Sequence, residues 1–277
     1  MTKLARHTFY MLCALALAAP AFAAPTVTPD SSGVDAAITQ ALAGSWREPA
    51  NAARNKYRHP KETLEFFGLK PDMTVVQLWP GTGWYTEVLA PVLHDHGQLI
   101  DAAVPPKGES ESDNTVRYLA KLKVDPAVYG KVKVVDFAPP AKMDLGPAGS
   151  VDLVLTFRNL HNWQGRGQLD SVFQTAFKVL KHGGVFGVVE HRAAAGKTVD
   201  EVFKSGYMPV NYVIQEAEKA GFKLAAQSEI NANPKDSKDY PHGVWTLPPT
   251  YTLGDQDRAK YAAIGESDRM TLKFVKP

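Results

Sequence analysis

Cysteine is almost absent from this chain: of its 277 residues only Cys13 carries a thiol. One cysteine cannot close an intrachain disulfide or supply the clustered thiolates of a structural zinc site. An excess of charge of one sign is missing too. Lys and Arg number 31 against 29 Asp and Glu, a formal net charge of +2, and the two signs are mixed along the chain. No basic stripe exists to neutralise a phosphate backbone, so nucleic acid is not an expected partner. The apolar run Phe9–Ala19 falls short of the ~20 residues that span a bilayer, so no stable membrane insertion is expected. The chain also lacks a His-Glu-x-x-His metal motif, internal repeats and the three-glycine dinucleotide fingerprint, since Trp84 and Tyr85 follow Gly83.

With 44% hydrophobic and 22% charged residues, the composition is that of a globular protein with one substantial core. Residues 1–24 read as a cleavable signal peptide. Lys3 and Arg6 precede the apolar run, and Pro20-Ala21-Phe22-Ala23-Ala24 ends in the small-x-small pattern of a cleavage site. Cys13 lies inside that segment, and Leu12 before it is not the small residue a lipoprotein site needs. The expected location is periplasmic or secreted. Residues 25–33 form a Pro/Ser/Thr-rich linker, and 34–277 one folded domain.

Within that domain, residues 34–70 carry helical patterning over Gly33–Trp46 and over Pro60–Gly68, forming an N-terminal helical cap. Strand and helix then alternate: strands at Thr74–Leu78, Gln98–Ala103, Val132–Val135, Val151–Thr156, Val185–Glu190, Phe222–Ile230 and Met270–Val275, helices at Thr86–Leu93, Asn114–Leu122, Leu169–Leu180 and Val210–Ala220. Near-continuous apolar strands such as Val151–Thr156 are those of a parallel sheet covered on both faces. The expected fold is α/β: a Rossmann-like, doubly wound, mostly parallel seven-stranded sheet with helices on both faces. Residues 231–269 form a long loop before the last strand, a lid over a sheet edge or a pocket.

Val75-Val76-Gln77-Leu78-Trp79-Pro80-Gly81-Thr82-Gly83-Trp84-Tyr85 places two glycines between a buried strand and a helix. Glycine there permits positive φ and close approach of a ligand to free helix N–H groups. With Thr86-Glu87 after it, this run resembles the turn of class I S-adenosylmethionine-dependent methyltransferases, and within them a group of exported bacterial methyltransferases carrying Trp-Pro-Gly-x-Gly-Trp-Tyr-Thr-Glu. The similarity extends from Arg58-His59-Pro60 to Asp268-Arg269-Met270, through Asp152–Trp163 and Leu180-Lys181-His182-Gly183-Gly184. Methyl transfer from S-adenosylmethionine to a small-molecule acceptor is what the resemblance implies. It assigns cofactor contacts to Gln77, Pro80, Gly81, Thr82, Gly83 and Asn159, a ribose contact to Asp101, and adenine contacts to Asp136 and Phe137. Gln77 and Trp79 stand where the family usually has an acid and a first glycine. Gln77 keeps hydrogen-bonding capacity without charge, and Trp79 either narrows the cofactor pocket or packs beneath it.

Catalytic residues in such a sheet lie at the carboxyl ends of its strands. His161 is the candidate base for an acceptor proton, with Glu190 and His191 beside it for a polar substrate. Alternatively, His161 caps the strand end through backbone contacts, and Glu190 pairs with Arg192. His161, Glu190 and His191 also suit a metal by residue type, but without close ligand spacing no metal is assigned. A periplasmic binding protein that keeps the fold without transfer is the alternative function. Nothing in the sequence fixes the oligomeric state.

Overall fold

The computed structural model describes Met1 and residues 31–277, apart from Glu109, Glu111 and Ser112. The expected signal peptide, apart from Met1, and most of the expected linker lie outside the described residues. Among those described, no helix is long and apolar enough to cross a membrane.

Seven strands form one sheet: β1 (Thr74–Leu78), β2 (Gln98–Ala103), β3 (Lys133–Asp136), β4 (Val151–Phe157), β5 (Leu180–His191), β6 (Lys223–Ser228) and β7 (Arg269–Val275). Their spatial order is β3-β2-β1-β4-β5-β7-β6. The first five run parallel, while β7 is antiparallel to both β5 and β6. The order reverses between β1 and β4, which opens a crevice at their carboxyl ends, where α/β folds bind ligands.

Alternation along the strands supplies two cores. Val75, Leu153 and Leu155 join Leu64, Phe67, Val88 and Leu89 on one face. Val76, Leu78 and Val154 join Phe173, Phe186, Val213 and Trp163 on the other. The cap contributes Ile38 and Leu64, both fully buried, to the first core.

The expected elements occur with shifted ends. The first helix is Ser31–Leu42, so residues 31–33 belong to it rather than to the linker. The third strand starts one residue late and extends to Asp136. The Leu180–Gly184 turn lies inside β5 as an irregularity: Val151 pairs with Leu180 but Leu153 with Val185, and Gly183 at φ 75° turns the chain between them. A short helix, Leu160–Gln164, follows β4 and was not apparent from apolar spacing.

Residues 231–269 are ordered by polar anchors rather than apolar period. Asp236, 3% exposed, accepts hydrogen bonds from the Tyr207 hydroxyl and the Asp268 N–H. Asn231 donates to Thr63 and Thr271. A helical turn at Gly243–Thr246 and a helix at Arg258–Ile264 lie between these anchors and β7.

Candidate functional site

The glycine turn leaves β1 through Trp79, whose φ of 48° is left-handed, a conformation that strains a bulky side chain. Its surroundings hold it there. Its N–H donates to Ala102 O at 2.8 Å, and Asn159 Nδ2 donates to Leu78 O at 3.0 Å. The indole Nε1 donates to Phe137 O at 2.9 Å, and its ring tilts against Trp163 at 4.9 Å. Gly81 and Gly83, at φ 64° and 84°, then turn the chain into the helix Thr86–Leu93.

A cavity of about 250 Å³ opens beside this turn. It is lined by Gln77, Trp79, Pro80 and Gly81 of the turn, by Phe157, Arg158, Asn159, His161, Asn162 and His191 at or just after the ends of β4 and β5, and by Arg58, Tyr85, Trp245, Glu266 and Ser267. The Tyr85 and Phe157 rings stack at 3.5 Å and 10°. Trp245 of the long loop sits edge-on to His161 at 5.9 Å, so this segment contributes to the cavity lining.

Beside His161 and His191, Glu190 is fully buried and organises three partners. It accepts from Leu160 N at 2.6 Å and from His191 N at 2.8 Å, and lies 3.0 Å from His161 Nδ1. A carboxylate on Nδ1 fixes the proton there and leaves Nε2 as the basic atom. Asn162 Nδ2 lies 3.0 Å from Nε2, a donor that matches this tautomer. Burial first, and then the charges of His161 and Arg158, push His191 well below the usual histidine range, so it stays neutral. Its Nδ1 meets the Ser267 hydroxyl.

The ligand atoms of His161, Glu190 and His191 lie within 4.8 Å of one another, a separation a metal could bridge. Both Glu190 oxygens already hold N–H groups, however, which is the arrangement of an orienting carboxylate. Glu190 pairs with His161 rather than Arg192, whose guanidinium is bidentate on Asp268 and also meets Glu229.

The expected cofactor residues divide into two groups. Gln77, Pro80, Gly81 and Asn159 line the cavity. The others do not. Asp101 is fully buried beneath the turn, beside Gln77 in register, with Thr86 Oγ1 at 2.7 Å from Oδ2 and the Tyr118 hydroxyl on the same oxygen. Burial pushes its carboxyl up to about 7 against these two hydrogen bonds. Tyr118 lies so close to Gly83 that an added Cβ would meet its ring at 3.0 Å. Thr82 lies outside the cavity lining. Asp136 points outward to Lys142, and Phe137 is fully buried in the core with Trp163. Asp101 is thus enclosed by Thr86 and Tyr118, Phe137 by the core, and Asp136 is engaged by Lys142 at the surface.

Sequence reasoning missed Arg58, Arg158, Glu266 and Ser267. Arg158 sits inside the β4 motif and Arg58 opens the matching region, but charge alone did not show that they converge. Burial, followed by the charge of Arg158, lowers Arg58 to about 9, and burial lowers Arg158 to about 10. Both remain protonated at neutral pH.

No family model matches the chain, and no curated protein matches it by sequence. Solved structures do match. A SAM-dependent methyltransferase from Aquifex aeolicus superposes with a TM-score of 0.55 at 16% identity, over 88% of this chain and 98% of that one. A structure described as a sarcosine dimethylglycine methyltransferase from Galdieria sulphuraria gives 0.54 at 13%, over 88% and 98%. The [4+2]-cyclase SpnF gives 0.55 at 17%, over 88% and 93%. With this sheet order and its single antiparallel strand, the chain has the Rossmann-like fold of the S-adenosylmethionine-dependent methyltransferases.

Proposed function

We propose that this protein transfers a methyl group from S-adenosylmethionine to a small polar acceptor held in the cavity beside the glycine turn. The observation that carries this is the meeting of that turn with a carboxylate-oriented histidine in one cavity, at the carboxyl ends of β1, β4 and β5. The fold supports it, although the cyclase among the matched structures is a reminder that fold alone does not fix a reaction.

When bound, the donor supplies an already activated methyl group on a sulfonium. Gln77, Gly81 and Asn159 would hold its amino-acid end. The work left to the protein is alignment and proton removal. His161 Nε2 accepts the acceptor's proton, and Glu190 stabilises the imidazolium that results, as a buried carboxylate on Nδ1 does. Trp245 and the stacked Tyr85–Phe157 pair restrict water and orient an apolar edge of the acceptor.

The adenosine end fits less well. Its expected places are held by the Trp79 indole on Phe137 O and by Tyr118 over Gly83, and 250 Å³ is below the roughly 300–1,000 Å³ of sites for drug-sized ligands. This favours, as a second function, a binding protein that retains the fold and takes only the small molecule. His161→Ala separates the two. For a transferase it lowers turnover about 10²- to 10⁴-fold while calorimetric binding of S-adenosylhomocysteine persists; unchanged turnover would remove His161 as the base.

We further propose that the chain is exported and resembles the exported group in its Trp79–Glu87 run. Protein recovered from the periplasm should begin at or next to Ala24, as N-terminal sequencing would read; an intact Met1 contradicts cleavage.

A further inference from the structure

Four guanidinium groups act on one carboxylate beside the cavity. Glu266, 3% exposed, meets Arg54 at 2.6 Å, Arg58 at 3.2 Å and Arg269 at 3.4 Å. The fourth, Arg158, faces the same cavity with no hydrogen-bond or ion-pair partner for its side chain among the described residues. It is also held at φ 62°, a left-handed backbone that costs stability in a non-glycine residue. Arg58 is itself 3% exposed, lines the cavity, and has a buried Nη2 without any partner.

The remaining nearby acid, Glu190, is committed to His161 and two backbone N–H groups. Positive charge is therefore in excess beside the cavity. Buried donors and charges persist in folded proteins when something pairs with them. Planar guanidinium groups suit the oxygens of a carboxylate or phosphate, which they bind with paired N–H donors.

We propose that Arg58 and Arg158 form an oxyanion-binding subsite, so that the molecule held in this cavity carries a carboxylate or phosphate group directed at them. This rests on the cavity being the ligand site proposed above and adds the chemical class of its ligand. The anionic group has two possible sources: the acceptor molecule, or the amino-acid carboxylate of the methyl donor.

The test is thermal unfolding of the purified chain at constant ionic strength, with chloride replaced by inorganic phosphate or by malonate, in wild type, Arg158→Met and Arg158→Lys. Wild type should gain several degrees of melting temperature at millimolar anion beyond the chloride control. Arg158→Met should lose that gain, and should melt no lower than wild type without anion because an uncompensated charge has gone. Arg158→Lys should recover part of the gain. The same titration with S-adenosylhomocysteine separates the sources. An Arg158-dependent shift with that compound assigns the subsite to the donor's carboxylate; a shift with phosphate or malonate alone assigns it to the acceptor, and leaves the subsite standing even where the donor fails to bind. Equal effects of chloride and both oxyanions on wild type, or a full anion effect in Arg158→Met, would overturn the subsite.

Discussion

Replacing Glu266 by glutamine is expected to destabilise the folded chain by about 3–5 kcal/mol, the cost of removing one partner from a buried ion pair. Glutamine preserves the volume but leaves Arg54, Arg58 and Arg269, which meet this carboxylate at 2.6–3.4 Å, without their shared countercharge, next to an already unpaired Arg158. The Arg58, Arg269, Arg158 and Arg54 charges, acting against the desolvation of burial, hold the Glu266 carboxyl well below the usual carboxylate range. A carboxyl depressed in the folded state contributes stability that is complete above its unfolded value and is lost as pH falls toward its folded one. The gap between wild type and Glu266→Gln should thus be constant above about pH 5 and shrink by about 2 kcal/mol at pH 3. Urea unfolding at the two pH values measures it through the midpoint at unchanged slope. An equal gap at pH 3 and pH 7 would show that the charge of Glu266 is not its cause.

The parts of this fold governed by local pattern were readable in the sequence. Val151–Phe157 announces a doubly covered parallel strand because its apolar residues are nearly continuous rather than strictly alternating, and Gly81 and Gly83 mark a strand-to-helix turn because the φ values there are positive. His161 and Glu190 were named for their positions at strand ends, and they lie in hydrogen-bonding contact.

What escaped depends on convergence from distant segments. Arg58, Arg158, Glu266 and Arg269 come from the cap, the end of β4, the long loop and β7, and no spacing rule links residues 58 and 266. Asp101 was legible as a strand acid near the ligand end of the sheet. That Thr86 and Tyr118 would enclose it was not, since Tyr118 arrives from a helix separated from it by a loop. The segment 231–269 lacked period because its order comes from Asp236, Asn231 and Asn233 bonding to backbone and hydroxyl groups, and buried polar anchors leave no hydrophobic rhythm.

Trp79→Gly is expected to tighten binding of S-adenosylhomocysteine by about 30-fold. In wild type the adenosine end enters only when the indole gives up its hydrogen bond to Phe137 O, worth about 1 kcal/mol, and its contact with the Trp163 ring, worth about another. The two together are about 2 kcal/mol, or that factor in the dissociation constant. Glycine also adopts the φ of 48° at this position without strain, so the turn keeps its shape while the slot between β1 and Phe137 opens. Loss of the indole's packing lowers overall stability, which the unfolding midpoint reports separately from affinity.

Isothermal titration of S-adenosylhomocysteine into the mature wild-type chain and into folded Trp79→Gly is the most direct measurement of whether this cavity is a methyl-donor site partly occupied by its own tryptophan. Weak binding to wild type and binding more than tenfold tighter to Trp79→Gly is the predicted result. Absence of heat from both proteins at millimolar ligand would contradict donor binding, and equal affinity in both would contradict the role given to Trp79.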